Sequence, residues 1–306
     1  PGGCAIGARP VDIHLDFLSK CGYQNKISKG YVISNKQSIK KKILYKFKKI
    51  SVGATETAIL NCCLSNKKVK LKNIAIEPEI IDLINFLNKS GANIKFTAKR
   101  SLLIKGVKSL NGVKYSIMPD RIEAGAYMIA SGITQSSLTL NNILIDHLKN
   151  IITVLKKIGF KFKFISNTSL KILPSKLKPI KIKTVPYPGF PTDMQAQLMS
   201  LLILTKGNSE IKEDIFENRF LHVLELQRMG ANIQINNNVA KITGIDKLSG
   251  AEVMATDLRA SVCLVLAGLV ARGKTVINRV YHLERGYEDL VKKLKKCGAK
   301  IKFLNA

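Results

Sequence analysis

The hydrophobic positions of this chain repeat with a period of about seventy residues. Five helical patterns each end at a glycine, and successive glycines are 69, 68, 71 and 68 residues apart. A leucine stands four positions before each glycine, and another aliphatic residue stands seven before it, so both lie on one helix face. The glycines are Gly22, Gly91, Gly159, Gly230 and Gly298. Each pattern predicts an amphipathic helix that ends in a left-handed glycine turn.

A strand is predicted after these glycines, because an apolar residue follows four of them by three positions, at Ile94, Phe162, Ile233 and Ile301. Each repeat also contains a second helix that is apolar on all sides and therefore buried. These inner helices are predicted over residues 54–65, 121–133, 193–204 and 257–271, capped by Thr55, Asp120, Thr192 or Asp193, and Thr256 or Asp257 respectively. The repeating unit is an α/β module with an outer and an inner helix.

The copy number predicts a longer parent protein. Five outer helices are present, but the first follows only eleven residues, so the first module has lost most of its length. Six modules of about 69 residues, closing two symmetric triplets, would need roughly 414 residues. We therefore expect about 110 further residues at the front. The first residue, Pro1, agrees with truncation, and removal of an initiator methionine is the alternative.

Composition indicates a globular chain with anionic partners. The 306 residues are 46% hydrophobic and 23% charged, which excludes a disordered tail or a disulfide mini-protein. Fifty basic residues against twenty-one acidic ones give a net charge of +29. This charge attracts nucleic acid or phosphorylated small molecules, or it reflects only drift toward AT-rich codons. Composition does not separate these alternatives.

The cysteines and histidines indicate a reduced protein without a metal site. The six cysteines form no CxxC pair and lie mostly in apolar runs, so we expect a cytoplasmic protein. The four histidines are scattered and form no metal-ligand motif. The most apolar stretch, residues 260–271, is too short to span a bilayer, and no signal peptide opens the chain.

Two segments carry candidate chemistry. Residues 1–14 form a glycine-rich loop in which Arg9 would favour a thiolate at Cys4 or bind an anion beside it; the alternative is an inert cysteine in a turn. Residues 49–55 place a lysine, a hydroxyl and a glycine at a predicted helix N-terminus, which suits phosphate binding. The alternative is that this segment, like similar turns at the other inner helices, is only a helix cap.

These segments closely resemble the UDP-N-acetylglucosamine 1-carboxyvinyltransferase family. The resemblance begins with the cysteine loop, covers essentially the whole chain, and continues in order through residues 51–55, 77–80, 119–125, 190–197, 216–220, 254–261 and 285–288. It implies an α/β fold of two inside-out barrels, with residues 1–118 as the rest of the first domain and 119–306 as the second. A lysine–asparagine pair and an arginine near the family's N-terminus have no counterpart here.

The resemblance also implies a set of site residues. Cys4 would add to phosphoenolpyruvate and donate a proton, and Asp193 would accept the proton of the sugar 3′-hydroxyl. The phosphoenolpyruvate-binding residues would be Arg9, Arg259 and Arg285. The UDP-N-acetylglucosamine contacts would be Arg9, Pro10, Val11, Asp12, Ile13, Lys49, Ile50, Ser51, Val52, Asp193 and Ile215.

The implied reaction is addition followed by elimination of phosphate, the first committed step of peptidoglycan synthesis. It needs no metal and no organic cofactor, and we expect a monomer with these two small-molecule substrates, no membrane and no specific nucleic acid as partners. One alternative is a 5-enolpyruvylshikimate-3-phosphate synthase, whose family shares the fold but lacks the cysteine loop. The others are a basic nucleic-acid-binding protein, although aromatics are only 6%, and a decayed, inactive family member.

Overall fold

The computed structural model describes residues 10–37, 42–65 and 67–304. These residues form two compact units. One unit contains the described chain up to Met118 together with Pro186–Pro188, and the other contains Pro119–Val185 and the described chain from Gly189 onward. Each unit encloses its own cluster of buried apolar side chains. Cys4 and Arg9, both predicted site residues, lie outside the described residues.

The described part of the first unit contains three helices and six strands. The helices are α1 (Asp12–Lys20), α2 (Val52–Cys63) and α3 (Pro78–Lys89). The strands are β1 (Tyr23–Ser28), β2 (Tyr31–Lys36), β3 (Lys42–Lys46), β4 (Lys68–Lys72), β5 (Asn93–Ala98) and β6 (Ser101–Lys105). Strands β1 and β2 form an antiparallel hairpin, and the others form a sheet in the order β3-β4-β6-β5.

The described part of the second unit contains six α-helices, α4 (Arg121–Ile133), α5 (Ile145–Ile158), α6 (Gln195–Leu202), α7 (His222–Arg228), α8 (Leu258–Gly268) and α9 (Leu290–Lys296). Short 3-10 helices cover Thr192–Met194 and Val280–Arg285. The strands are β7 (Leu138–Asn141), β8 (Lys161–Ser166), β9 (Ser169–Leu173), β10 (Lys181–Thr184), β11 (Asn208–Glu213), β12 (Asn232–Asn236), β13 (Val239–Thr243), β14 (Glu252–Met254) and β15 (Val276–Asn278). They form sheets in the orders β7-β9-β8, β10-β11-β13-β12 and β14-β15.

The predicted repeat is present in the topology. The sheets β3-β4-β6-β5 and β10-β11-β13-β12 are built alike: two parallel strands joined through an inner helix, then an outer helix, then an antiparallel hairpin. The sheet β7-β9-β8 repeats the last three strands of this pattern, and β14-β15 repeats the parallel pair. The complete module is therefore βαβαββ, and the inner helices α2, α6 and α8 each follow its first strand.

The glycine turns are confirmed at all five positions. Their φ angles lie between +92° and +110°, a region that only glycine adopts without strain. At Gly159 the backbone amide donates to the carbonyl of Leu155 and closes the last turn of α5. Strands follow the first four glycines. The strand predicted around Ile301 is wrong, because residues 299–304 pair with no described strand.

The inner helices α4, α6 and α8 are buried as predicted, whereas the prediction is wrong for half of α2, in which six of twelve residues are buried and Leu60 is 52% exposed. Every residue of α6 is buried, and so are eleven of the thirteen residues of α4. The capping prediction is confirmed for Asp120, whose carboxylate accepts from two first-turn amides, and for Asp257 in the same way. It is wrong for Thr55: α2 is capped by Ser51, while the Thr55 hydroxyl accepts from the amide of Ala75 in the core.

Candidate active site

The sequence predicts Thr192 or Asp193 as the cap of their inner helix, and this prediction is wrong. Asp193 lies in the 3-10 turn that leads into α6, and neither that turn nor α6 has a side-chain cap. The equivalent aspartates of the neighbouring modules, Asp120 and Asp257, both bind first-turn amides. The carboxylate of Asp193 is instead free to meet charged side chains.

Two arginines hold the Asp193 carboxylate. Arg219 Nη2 lies 2.7 Å from Oδ1, and Arg259 Nη2 lies 3.3 Å from Oδ2. The arginine side chains are only 8% and 15% exposed, whereas that of Asp193 is 42% exposed, so the carboxylate keeps an open side. Burial alone would raise the pKa of Asp193. The charges and hydrogen bonds of Arg259 and Arg219 have the larger, opposite effect and lower the pKa to about 2. The carboxylate is ionised at neutral pH.

A buried tyrosine orients Arg259. Arg259 Nη1 donates to Tyr287 Oη at 3.3 Å, and its guanidinium lies 6.0 Å from the Tyr287 ring centre. Gln197 Nε2 donates both to Tyr287 Oη at 3.1 Å and to the Asp193 carbonyl at 2.8 Å. Desolvation raises the pKa of Tyr287, so the phenol stays neutral and accepts these bonds. The hydrogen bonds of Tyr287 and Gln197 therefore hold the Asp193–Arg259 ion pair in place.

Arg219 is positioned by its own segment. It lies in the loop between β11 and α7, and its guanidinium stacks 4.9 Å from the centre of the Phe216 ring. Ile215 precedes that phenylalanine and is 37% exposed. The structure therefore brings Asp193 and Arg259 into contact, and it places the Ile215 loop next to them through Arg219.

In the first unit, the structure brings the two predicted sugar-contact segments together. Residues 10–13 begin α1, and residues 49–52 lead into α2. The two helix starts approach closely, because a Cβ added to Gly53 would lie 3.1 Å from His14 Nε2. The first turn of α2 offers amide donors beside Lys49, as an anion site requires.

Arg285 is placed differently from Arg259. It ends the 3-10 helix Val280–Arg285 and is exposed, and the two ion pairs that hold Asp193 come from Arg219 and Arg259. Its predicted role toward phosphoenolpyruvate stays a prediction.

Sequence reasoning missed Arg219, Tyr287 and Gln197 as site residues. Arg219 carried a usable signal, because only nine of the fifty basic residues are arginine. In so lysine-rich a chain, an arginine indicates a position that needs a planar, bidentate donor. Tyr287 and Gln197 carried no such signal, since their roles depend on a contact across ninety residues.

His222, a neighbour of this cluster, predicts a pH dependence of stability. It is 2% exposed; burial lowers its pKa from 6.5 to about 4, with Arg219 lowering it and Asp257 raising it. Between pH 6.5 and 4, the histidine is therefore protonated in the unfolded chain but neutral in the folded one. The free energy of unfolding is highest above pH 6.5 and decreases as the pH falls toward 4.

We expect His222→Gln to remove this loss. When the pH is lowered from 7.5 to 4.5, His222 should lower the free energy of unfolding of the unsubstituted protein by about 2 to 3 kcal/mol. The glutamine variant should not show this decrease. Urea unfolding of both proteins at the two pH values measures the difference. Parallel pH dependences would contradict the assignment.

Five of the six cysteines lie in the described part of the chain. Cys21, Cys62, Cys63 and Cys263 are buried, Cys297 is exposed, and these five form no disulfide bond. In residues 10–37, 42–65 and 67–304, no three histidine, cysteine or acidic side chains group as metal ligands. No helix in these ranges has the length and apolar character needed to cross a bilayer.

Comparison with known proteins defines the class first. Residues 1–294 match the family described as EPSP synthase (3-phosphoshikimate 1-carboxyvinyltransferase). The fold agrees: the enolpyruvyl transferase NikO from Streptomyces tendae superposes with a TM-score of 0.86 at 24% identity, over 96% of this chain and 72% of that one. An EPSP synthase from Acinetobacter baumannii gives 0.71 at 18% identity, over 94% and 70%. The chain belongs to the EPSP synthase family and has its mixed α/β fold.

Sequence relatives within this family carry a more specific name. A UDP-N-acetylglucosamine 1-carboxyvinyltransferase from Pelagibacter ubique (strain HTCC1062) is 57% identical over all of this chain and 73% of its own length. A protein of the same name from Orientia tsutsugamushi (strain Ikeda) is 51% identical over 98% of this chain and 72% of its own length. Identity of this level confirms the resemblance and does not favour the shikimate-phosphate alternative.

Proposed function

We propose that this protein transfers the enolpyruvyl group of phosphoenolpyruvate to the 3′-hydroxyl of UDP-N-acetylglucosamine and releases phosphate. The observation that carries this proposal is the carboxylate of Asp193, held ionised between two arginines, in a chain 57% identical to a relative of that name. The reaction needs a base for a hydroxyl proton beside cations for an anionic donor. Asp193 and Arg259 supply this pair.

The proposed chemistry proceeds in two steps. Asp193 takes the proton of the sugar 3′-hydroxyl as the hydroxyl oxygen bonds to C2 of phosphoenolpyruvate. At the same time C3 gains a proton from Cys4, to which we assign the role of acid. The tetrahedral adduct then loses phosphate from C2 as C3 returns a proton to the Cys4 thiolate, which restores the double bond, and the proton held by Asp193 leaves with the phosphate. Arg259, with Arg9 and Arg285, binds the phosphate and carboxylate of the donor. No metal enters either step.

The sugar nucleotide is assigned to both predicted segments of the first unit and to Ile215. Among the described residues, Asp12 and Ile13 begin α1, and Lys49 to Ser51 lead into α2 at Val52, so amide donors and a lysine are available for the diphosphate. In this proposal, residues 1–118 and 119–306 belong to two inside-out α/β barrels. The protein works as a cytoplasmic monomer at the first committed step of peptidoglycan synthesis.

Phosphate release tests the function. The assay supplies phosphoenolpyruvate and UDP-N-acetylglucosamine to the 306-residue chain, and to the same chain joined to the part of the Pelagibacter relative that the alignment leaves unmatched. We expect phosphate release that depends on both substrates, from at least the extended protein. Shikimate 3-phosphate in place of the sugar nucleotide is the control acceptor. Turnover only with this control, or no turnover by either folded protein, would overturn the proposal.

A further inference from the structure

Glu213 is a buried carboxylate next to the site, and no cation of the described residues pairs with it. It ends β11, is 2% exposed, and takes part in none of the ion pairs among the described residues. Burying a charge in this way is costly unless hydrogen bonds satisfy it. The hydrogen bonds that the Glu213 carboxylate accepts indicate its role.

Three donors satisfy Glu213, and they come from two separate segments. Oε1 accepts from the amide of Ile215 at 2.8 Å and from that of Phe216 at 3.2 Å. Oε2 accepts from the hydroxyl of Thr192 at 2.8 Å. Thr192 directly precedes Asp193, so one carboxylate ties the Ile215 loop to the segment that carries the proposed base.

These bonds close a ring of contacts. Asp193 pairs with Arg219, Arg219 stacks on the Phe216 ring, and the Phe216 amide returns to Glu213. Bonds to an ionised acceptor are shorter and stronger than neutral ones, so the charge of Glu213 stiffens the ring. The anchor is itself fixed, because the Glu213 amide donates to the Asn238 carbonyl at 2.8 Å.

We propose that Glu213 is a positioning residue that fixes the sugar-contact loop at Ile215 relative to the base Asp193. The inference rests on the proposed function, because it gives Ile215 and Asp193 their roles. It adds that sugar affinity and turnover depend on a carboxylate that touches neither substrate. A misplacement of about 1 Å at such a site can lower the rate by about 100-fold.

The test compares Glu213→Gln with Glu210→Gln, which removes the same charge three residues earlier on β11. The readouts are the Kd for UDP-N-acetylglucosamine by calorimetry, amide exchange at Ile215 and Phe216, and the unfolding midpoint in urea. For Glu213→Gln we expect a Kd raised about fivefold to tenfold and faster exchange at both amides, because a neutral amide accepts more weakly. Glu210→Gln should stay within about twofold of the unsubstituted chain.

A second pair of variants tests the other half of the anchor. Thr192→Val deletes the hydroxyl that Oε2 accepts from, and Thr192→Ser keeps it. Loss of kcat in the valine variant, with recovery in the serine variant, is expected if the bond positions Asp193.

Two results separate failure of the inference from failure of the function. Unchanged Kd, kcat and exchange in Glu213→Gln, with only a lowered unfolding midpoint, would reduce Glu213 to a structural role and overturn the inference alone. An unsubstituted, folded protein that does not bind UDP-N-acetylglucosamine would overturn the sugar assignment and this inference with it.

Discussion

Asp193→Asn should lower kcat by about 10³-fold while UDP-N-acetylglucosamine still binds measurably. A positioned general base contributes about 10² to 10⁴ in rate, and asparagine keeps the shape of the side chain without its basicity. The pKa of about 2 means that Asp193 is ionised throughout the working range, so the loss should be the same at pH 6 and pH 9. Steady-state rates and calorimetric binding measure the two quantities.

The control for this variant is Asp146→Asn. Asp146 also pairs with a basic residue, Lys149, but its side chain is 81% exposed on α5, and such surface pairs contribute little. Its replacement should leave turnover unchanged. Near-normal turnover in Asp193→Asn would remove Asp193 from the role of base and leave it as part of a structural ion pair.

Fosfomycin, an epoxide inhibitor of the family this chain resembles, should label the protein once, at Cys4. The other cysteines are poor competitors: burial raises the thiol pKa of Cys63 and Cys263, and a hydrogen bond to Cys21 together with burial raises that of Cys62. The thiolate is the nucleophile, so these side chains stay unreactive. Cys4→Ser should therefore abolish labelling, as read by the mass of the intact protein.

Cys297 provides the matched control for this experiment, because it is the exposed cysteine among the described residues. Cys297→Ser should label as fully as the unsubstituted protein. A mass shift that persists in Cys4→Ser, or that disappears in Cys297→Ser, would show that the nucleophile is elsewhere.

The period of the chain could be derived from sequence because it depends on local chemistry. Glycines such as Gly91 end helices through a backbone conformation that other residues avoid, and inner helices such as α4 are apolar on every side. Both signals survive in a single sequence. The strand expected at Ile301 failed because a strand also needs a partner, which no local pattern supplies.

The candidate site could be predicted from the sequence only in part, because its contacts are also non-local. The resemblance identified Asp193 and Arg259 as single residues, but their partners depend on contacts over long separations. Tyr287 reaches Gln197 across ninety positions, and Glu213 reaches Thr192 across twenty-one. Thr55 was mistaken for a cap because a hydroxyl near a helix start fits either a cap or, as the structure has it, a core hydrogen bond.

The start of α6 differs from the starts of α4 and α8, because no side chain caps it. Asp120 and Asp257 each stabilise their helix, and a cap of this kind is worth about 1 kcal/mol. The copy at Asp193 gives up that stabilisation, and its carboxylate faces two arginines instead. If Asp193 is the base proposed above, the chain keeps this carboxylate available for chemistry at the expense of about 1 kcal/mol of helix stability, which the caps of the other two inner helices retain.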